Sequence, residues 1–68
     1  MTITEMSEII QRDIADYKIA KRSGNEQEIE RAINNMENSY IGYCLYPVPG
    51  SEELRKLICE ARGYNINN

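Results

Sequence analysis

Apolar residues recur at intervals of three and four along most of this 68-residue chain, and that spacing is the strongest constraint on its fold. Side chains spaced in this way share one face of an α-helix. Three separate stripes have it: Ile3, Met6, Ile10, Ile14 and Tyr17, flanked by Ile9 and Ala20; Ile29, Ala32, Ile33, Met36 and Tyr40, with Tyr43 as a further candidate; and Leu54, Leu57, Ile58 and Ala61. The pattern predicts an all-α protein.

Helix start and stop signals separate the first two stripes. Thr2 and Glu5 have the spacing of a capping box, with Thr4 as a competing cap, and Asn25 repeats that spacing with Glu28. Between the two helices, Gly24 can adopt the left-handed conformation that ends the first one.

Residues 47–50, Pro-Val-Pro-Gly, must break any helix, because proline lacks the amide hydrogen and forces the preceding residue to be extended. Ser51 is then expected to cap the third helix. We therefore expect one helical domain over residues 1–68. It is a small antiparallel bundle of two long helices, about 3–23 and 26–40, and a shorter C-terminal helix, about 52–62.

The segment from Tyr40 to Tyr46 is apolar on every side, holds three of the five tyrosines and contains Gly42. Helical order is expected to weaken just before it, around Asn38 and Ser39. The segment is either a frayed continuation of the second helix or a separate turn that plugs the end of the bundle. Because tyrosine combines a large contact area with few torsions, the same residues also suit a binding surface.

The chain has no Phe, Trp or His, so its core must be built from Ile, Leu, Met and Tyr. A core of this kind in so short a chain rarely supplies more than roughly 3–5 kcal/mol of stability. We therefore expect marginal stability, or help from a partner or a second copy. Ile19 lies off the first stripe and marks either a self-association surface or a lone exposed residue.

The net charge of −3, from 11 acidic and 8 basic residues, argues against direct binding of nucleic acid, which requires Lys and Arg to neutralise phosphates. It suits a basic protein surface, or it only keeps a small protein soluble. A helix-turn-helix is disfavoured as well, because the third helix begins with two glutamates where phosphate contacts should lie.

No catalytic residue, cofactor or metal ligand is expected. The general base that enzymes use most often at neutral pH, histidine, is absent, and Cys44 and Cys59 alone do not make a zinc site. Two reduced thiols indicate a cytoplasmic protein, although a single disulfide between them is open. Neither a signal peptide nor a membrane span is expected.

Four segments resemble the colicin/pyocin-type bacteriocin immunity family: TITEMSEII, NEQEIERAINNMENS, YCLYP and GSEELRKLICEARGYN. Members of that family are small acidic four-helix proteins that bind and inhibit the nuclease domain of a toxin. This chain is shorter, has Leu45 in place of one family tyrosine and Gly42 in place of an aspartate, and lacks the tryptophan of the last helix. The resemblance implies a specificity face on the second helix and one shared tyrosine, Tyr46.

We therefore expect a non-enzymatic inhibitor, immunity-like or phage-encoded, that docks on a basic surface of a nuclease or of a defence or toxin protein. The residues expected to bind this protein partner are Glu26, Glu30, Asn34, Glu37, Tyr43 and Tyr46. The alternative is a structural homo-oligomer, a homodimer or a larger assembly, in which the hairpins of neighbouring copies bury Ile19, Ile41 and Leu45.

Overall fold

A computed structural model describes residues 1–43 and 47–64 of the chain. These residues form three α-helices: α1 (Ile3–Ser23), α2 (Glu26–Tyr43) and α3 (Ser51–Arg62). No strand occurs within the two described ranges. Helix α1 packs against both α2 and α3, so the fold is the small all-α bundle that the apolar spacing predicts. No helix in these ranges combines the length and the apolar character needed to cross a bilayer.

The predicted capping box is present at the start of α1. The Thr2 hydroxyl oxygen accepts a hydrogen bond from the Glu5 backbone N–H at 3.1 Å, and the Glu5 carboxylate accepts one from the Thr2 N–H at 2.9 Å. The bonds with Thr2 lower the pKa of Glu5. Gly24 ends the helix with a φ of 73°, as expected.

The turn into α2 is tight, and Asn25 caps the new helix as predicted. Its side-chain oxygen accepts hydrogen bonds from the N–H groups of Gln27 and Glu28 at 3.0 and 3.2 Å. The reciprocal half of the box differs from the prediction, because the Asn25 N–H donates to the Ser23 hydroxyl oxygen instead of the Glu28 carboxylate. A turn this short makes α1 and α2 antiparallel neighbours.

Each helix contributes one fully buried side chain to the core: Ile10 from α1, Met36 from α2 and Leu54 from α3. Seven further buried apolar residues complete the cluster: Ile14, Tyr17, Ala20, Ala32, Ile33, Val48 and Ile58. Two stripe predictions are wrong. Ile3, in the first turn of α1, is 47% exposed, and Tyr40 is 36% exposed.

The predicted weakening of α2 around Asn38 and Ser39 does not occur, and the helix continues without a break to Tyr43 rather than ending near Tyr40. Ser39 is buried, and its hydroxyl donates a hydrogen bond to the Asp13 carboxylate on α1. A serine whose hydroxyl has such a partner does not compete for the helix backbone. Because Ser39 takes the inward position, its neighbour Tyr40 turns outward. Residues 44–46, the rest of the tyrosine segment, lie outside the described residues.

The connection before α3 is held against α1 at Gly50, whose φ is 98°. A Cβ atom at this position would lie 2.6 Å from the amide nitrogen of Gln11, which would have to shift, and 3.2 Å from Cγ2 of Ile10. The positive φ strains any residue other than glycine, so the backbone conformation itself requires glycine here. Gly50, and not Ser51 as predicted, is the N-cap of α3. Ser51 is already helical, and its hydroxyl donates back to the Val48 carbonyl at 2.7 Å.

Candidate functional site

Arg62, the last residue of α3, bonds to three of the α2 residues predicted to bind a partner. Its Nε and Nη2 atoms donate to the two carboxylate oxygens of Glu37 at 3.2 and 2.8 Å. Nη1 donates to Glu30 Oε1 at 3.3 Å, and Nη2 lies 2.9 Å from Glu30 Oε2. Nη2 also donates to the side-chain oxygen of Asn34 at 3.0 Å. We call Glu30, Asn34, Glu37 and Arg62 the Arg62 cluster.

The sequence builds this cluster through helical spacing. Steps of four and three place Glu30, Asn34 and Glu37 in one row on α2. On α3, Gly63 stops the helix with a φ of 75°, so that Arg62 stands in the last turn, where the helix dipole favours a cation. The planar guanidinium then matches both carboxylates as a fork.

The Arg62 cluster is partly shielded from water. The side chains of Arg62 and Glu37 are 26% and 29% exposed, whereas that of Glu30 is 54% exposed. The hydrogen bonds from Arg62 lower the pKa of Glu37, and the bonds to Glu37 and Glu30 raise the pKa of Arg62. Two carboxylates and one guanidinium leave the cluster with a net charge of −1.

Beside the cluster, α2 and α3 enclose an apolar groove of about 520 Å³, which we call the α2–α3 groove. It is lined by the most exposed large hydrophobic side chain of the described residues, Ile41 at 75%, together with Tyr64 at 61% and Tyr40. The remaining lining residues are Glu37, Asn38, Arg55, Ile58 and Cys59. Arg55 and Ile41 thus line the same groove, whereas Arg62 bonds to residues in the middle of α2.

The other predicted partner-binding residues have different surroundings. Glu26 is exposed in the first turn of α2. Tyr43 is half-buried and packs against the core, so its ring serves the fold. Tyr46 lies outside the described residues. Sequence reasoning missed Arg62, because helical spacing displays the acidic row on α2 but no local pattern shows which residue of α3 packs against it.

A second groove separates α1 from α2 on the opposite side of α2. Ile19, 57% exposed, lies on it together with Arg31 and Ala32. The residues of α2 that line this groove are offset by roughly half a turn from the Arg62 cluster. Ile19 therefore lies away from the cluster and from the α2–α3 groove.

Within residues 1–43 and 47–64, no three His, Cys, Asp or Glu side chains converge in a way that could hold a metal ion. Cys59 is a free, half-buried thiol in the α2–α3 groove. The sequence leaves its pairing with Cys44 open, and Cys44 lies outside the described residues. The site thus offers an apolar groove, tyrosine hydroxyls and a shielded acidic cluster, which are means of binding.

Acid is expected to weaken the contact between α2 and α3. The pKa of Glu37 is lower in the folded chain than its ordinary value of 4.5, so its stabilising effect is complete above that pH and is lost as the pH falls through the folded-state pKa. Urea unfolding at neutral pH and at several values below 4.5 measures this loss. Glu37→Gln should lose less stability in acid than the wild type does. Some acid dependence remains in this variant, because the pKa of Glu5 is also lowered in the folded chain.

The matched control is Glu53→Gln, which removes a carboxylate that forms only an exposed pair with Lys18 at 3.3 Å. Exposed pairs of this kind contribute little to stability. Equal acid dependence in the two variants would contradict the role given to Glu37.

Comparison of the chain with models of known protein families, with curated proteins and with solved structures finds no match. The resemblance to bacteriocin immunity proteins therefore stays a prediction from short sequence segments. The features of the molecule that bear on its function are the Arg62 cluster and the α2–α3 groove.

Proposed function

We propose that this protein is a small non-enzymatic binding module that docks on a basic surface of another protein. The docking surface consists of Glu26, the Arg62 cluster and the α2–α3 groove, and we call it the α2–α3 face. The observation that carries the proposal is the exposure of Ile41, at 75%, on the rim of an apolar groove beside an acidic cluster.

Apolar and acidic features have separate roles in this arrangement. Protein interfaces take most of their affinity from a few apolar or aromatic side chains that become buried at the centre of the contact. Ile41, Tyr40 and Tyr64, which line the α2–α3 groove, can serve as such side chains. The charge at the rim steers the encounter and selects the partner. Because Arg62 already holds Glu30 and Glu37 in place, their carboxylates need little ordering when a partner binds.

The target class that fits best is an inhibited nuclease, or a defence or toxin protein. A nuclease must present Lys and Arg to the phosphates of its substrate, and a rigid acidic surface competes for those groups. The resemblance of α2 and the tyrosine segment to immunity proteins supports the same class. We place the module in the cytoplasm, encoded by a plasmid or a phage.

Ile41→Lys is expected to reduce capture of the partner from native host cells by about thirtyfold or more, because it removes an anchor and adds repulsion toward a basic surface. Its exposed position leaves the fold intact, which circular dichroism checks. The matched control is Ile19→Lys, the same change at an exposed isoleucine on the opposite side of α2. If Ile41→Lys captures the partner as well as the wild type does, the proposal is contradicted.

Purified chain should also inhibit the captured protein when that protein is a nuclease, which tests the inhibitor class directly. The combination of Tyr46→Ala with Glu30→Lys is a less selective probe. It places an ammonium group beside Arg62 and so perturbs the cluster as well as the contact.

A structural homo-oligomer is the second candidate, and the 57% exposure of Ile19 in the α1–α2 groove favours it. Assembly through that side would be broken by Ile19→Lys and unaffected by Ile41→Lys. Light scattering of the same two variants therefore separates the two candidates.

A further inference from the structure

The α2–α3 groove is lined by charges of opposite sign. Arg55 and Glu37 both line the groove, and about two helical turns of α3 separate Arg55 from Arg62, which holds Glu37 in the net negative Arg62 cluster. Exposed Ile41 and Tyr64 also line the groove. A surface with this distribution is complementary to a reversed copy of itself.

We propose that two copies of the chain pair through the α2–α3 groove, and that this pairing controls access to the docking surface. The regulatory part rests on the proposed function, because it assigns the same groove to partner binding. The proposal that two copies pair depends only on the charges and the exposed apolar side chains of the groove, and not on the proposed function.

The charges select one arrangement of the two copies. A two-fold axis that lies in the interface and crosses the groove at a right angle reverses the groove's direction, so Arg55 of each copy faces Glu37 of the other. An axis along the groove would instead set Arg55 against Arg55, and the two acidic clusters against each other. Like charges placed opposite one another across an interface are strongly disfavoured.

Both charged groups have bonding capacity left. Arg55 is exposed and has no hydrogen bond or ion pair with the residues of the described ranges. Glu37 accepts two hydrogen bonds from Arg62, and a carboxylate offers about four lone-pair sites. A second arginine can therefore approach Glu37 without displacing Arg62.

Pairing also accounts for the apolar exposure around the groove. Ile41 and Tyr64 are largely open to water in a molecule whose three fully buried side chains are Ile10, Met36 and Leu54, counted over the described ranges. Covering them with a second copy would add to a small core. The half-buried Cys59 would then lie close to its counterpart across the axis.

Sedimentation equilibrium over a wide dilution series tests the pairing without any partner. We expect a monomer–dimer equilibrium that Arg55→Glu weakens by about tenfold or more and that Ile19→Lys leaves unchanged. In a Cys44→Ser background, a short thiol-specific cross-linker should join two chains through Cys59, and Arg55→Glu should reduce that product. Circular dichroism confirms that each variant is folded.

Two outcomes would overturn the pairing. One is a monomer at every concentration, which would leave the groove to a different protein. The other is a dimer that Ile19→Lys disrupts and Arg55→Glu does not, which would place the contact on the α1–α2 side.

Arg55→Glu also separates the two proposals, because it weakens self-pairing while adding a carboxylate that favours a basic partner. Weaker pairing together with increased partner capture supports both. Pairing without any captured partner supports the dimer and contradicts the proposed function. Capture by a chain that is always monomeric supports the proposed function and overturns the pairing.

Discussion

Met36→Ala is expected to leave the protein largely unfolded at room temperature. Met36 is fully buried at the centre of the core, where it belongs to one cluster with Ile10 and Leu54. Truncating a buried methionine to alanine costs about 2–5 kcal/mol, because apolar contacts are lost and a cavity remains. A single core in a chain of this size rarely supplies more than roughly 3–5 kcal/mol in total, so the loss is comparable with the whole stability.

Far-UV circular dichroism and urea titration measure the effect. The control is Met36→Leu, which keeps the volume nearly constant and should cost less than about 1.5 kcal/mol. A Met36→Ala variant that unfolds cooperatively, with wild-type stability, would show that Met36 is not central to the core.

Arg62→Glu is expected to lower the thermal midpoint by about 5–15 °C. The change brings a third carboxylate against Glu30 and Glu37 and removes the group that joins α3 to the middle of α2. Cys59, one turn away, should then react faster with a thiol reagent as the end of α3 detaches. Thermal unfolding measures the change in the midpoint. The rate of thiol modification of Cys59, in a Cys44→Ser background, measures the detachment of the end of α3.

Lys56→Glu provides the matched control, because it makes the same charge change at an exposed position of the same helix. Adding Glu37→Arg to Arg62→Glu exchanges the two charges and should recover part of the loss, as a double-mutant cycle would measure. Equal midpoints for Arg62→Glu and Lys56→Glu would contradict the structural role of the cluster.

The fold could be predicted because its main determinants are local. Thr2, Asn25 and Gly24 mark helix ends through bonds and angles within a few residues, and helical spacing identifies most of the core. The exceptions depend on partners distant in sequence. Ser39 is buried with its hydroxyl bonded to Asp13 on α1, and Gly50 caps α3 with a positive φ where the chain passes close to Ile10 and Gln11 of α1.

The candidate site was predicted in part for the same reason. The row of Glu30, Asn34 and Glu37 follows from helical spacing, which a sequence displays directly. Its junction with Arg62 depends on how α3 lies across α2, and no local pattern fixes that placement. The sequence therefore indicated which residues share a face, and the packing of α3 determined that they bind an internal arginine.

The division of the core among three helices has a consequence for synthesis of the chain. Helices α1 and α2 leave the ribosome before α3. The side chains of Ile10 and Met36 therefore stay partly exposed to water until Leu54 has emerged and can cover them. Apolar surface exposed during that interval is a site for chaperones and for aggregation.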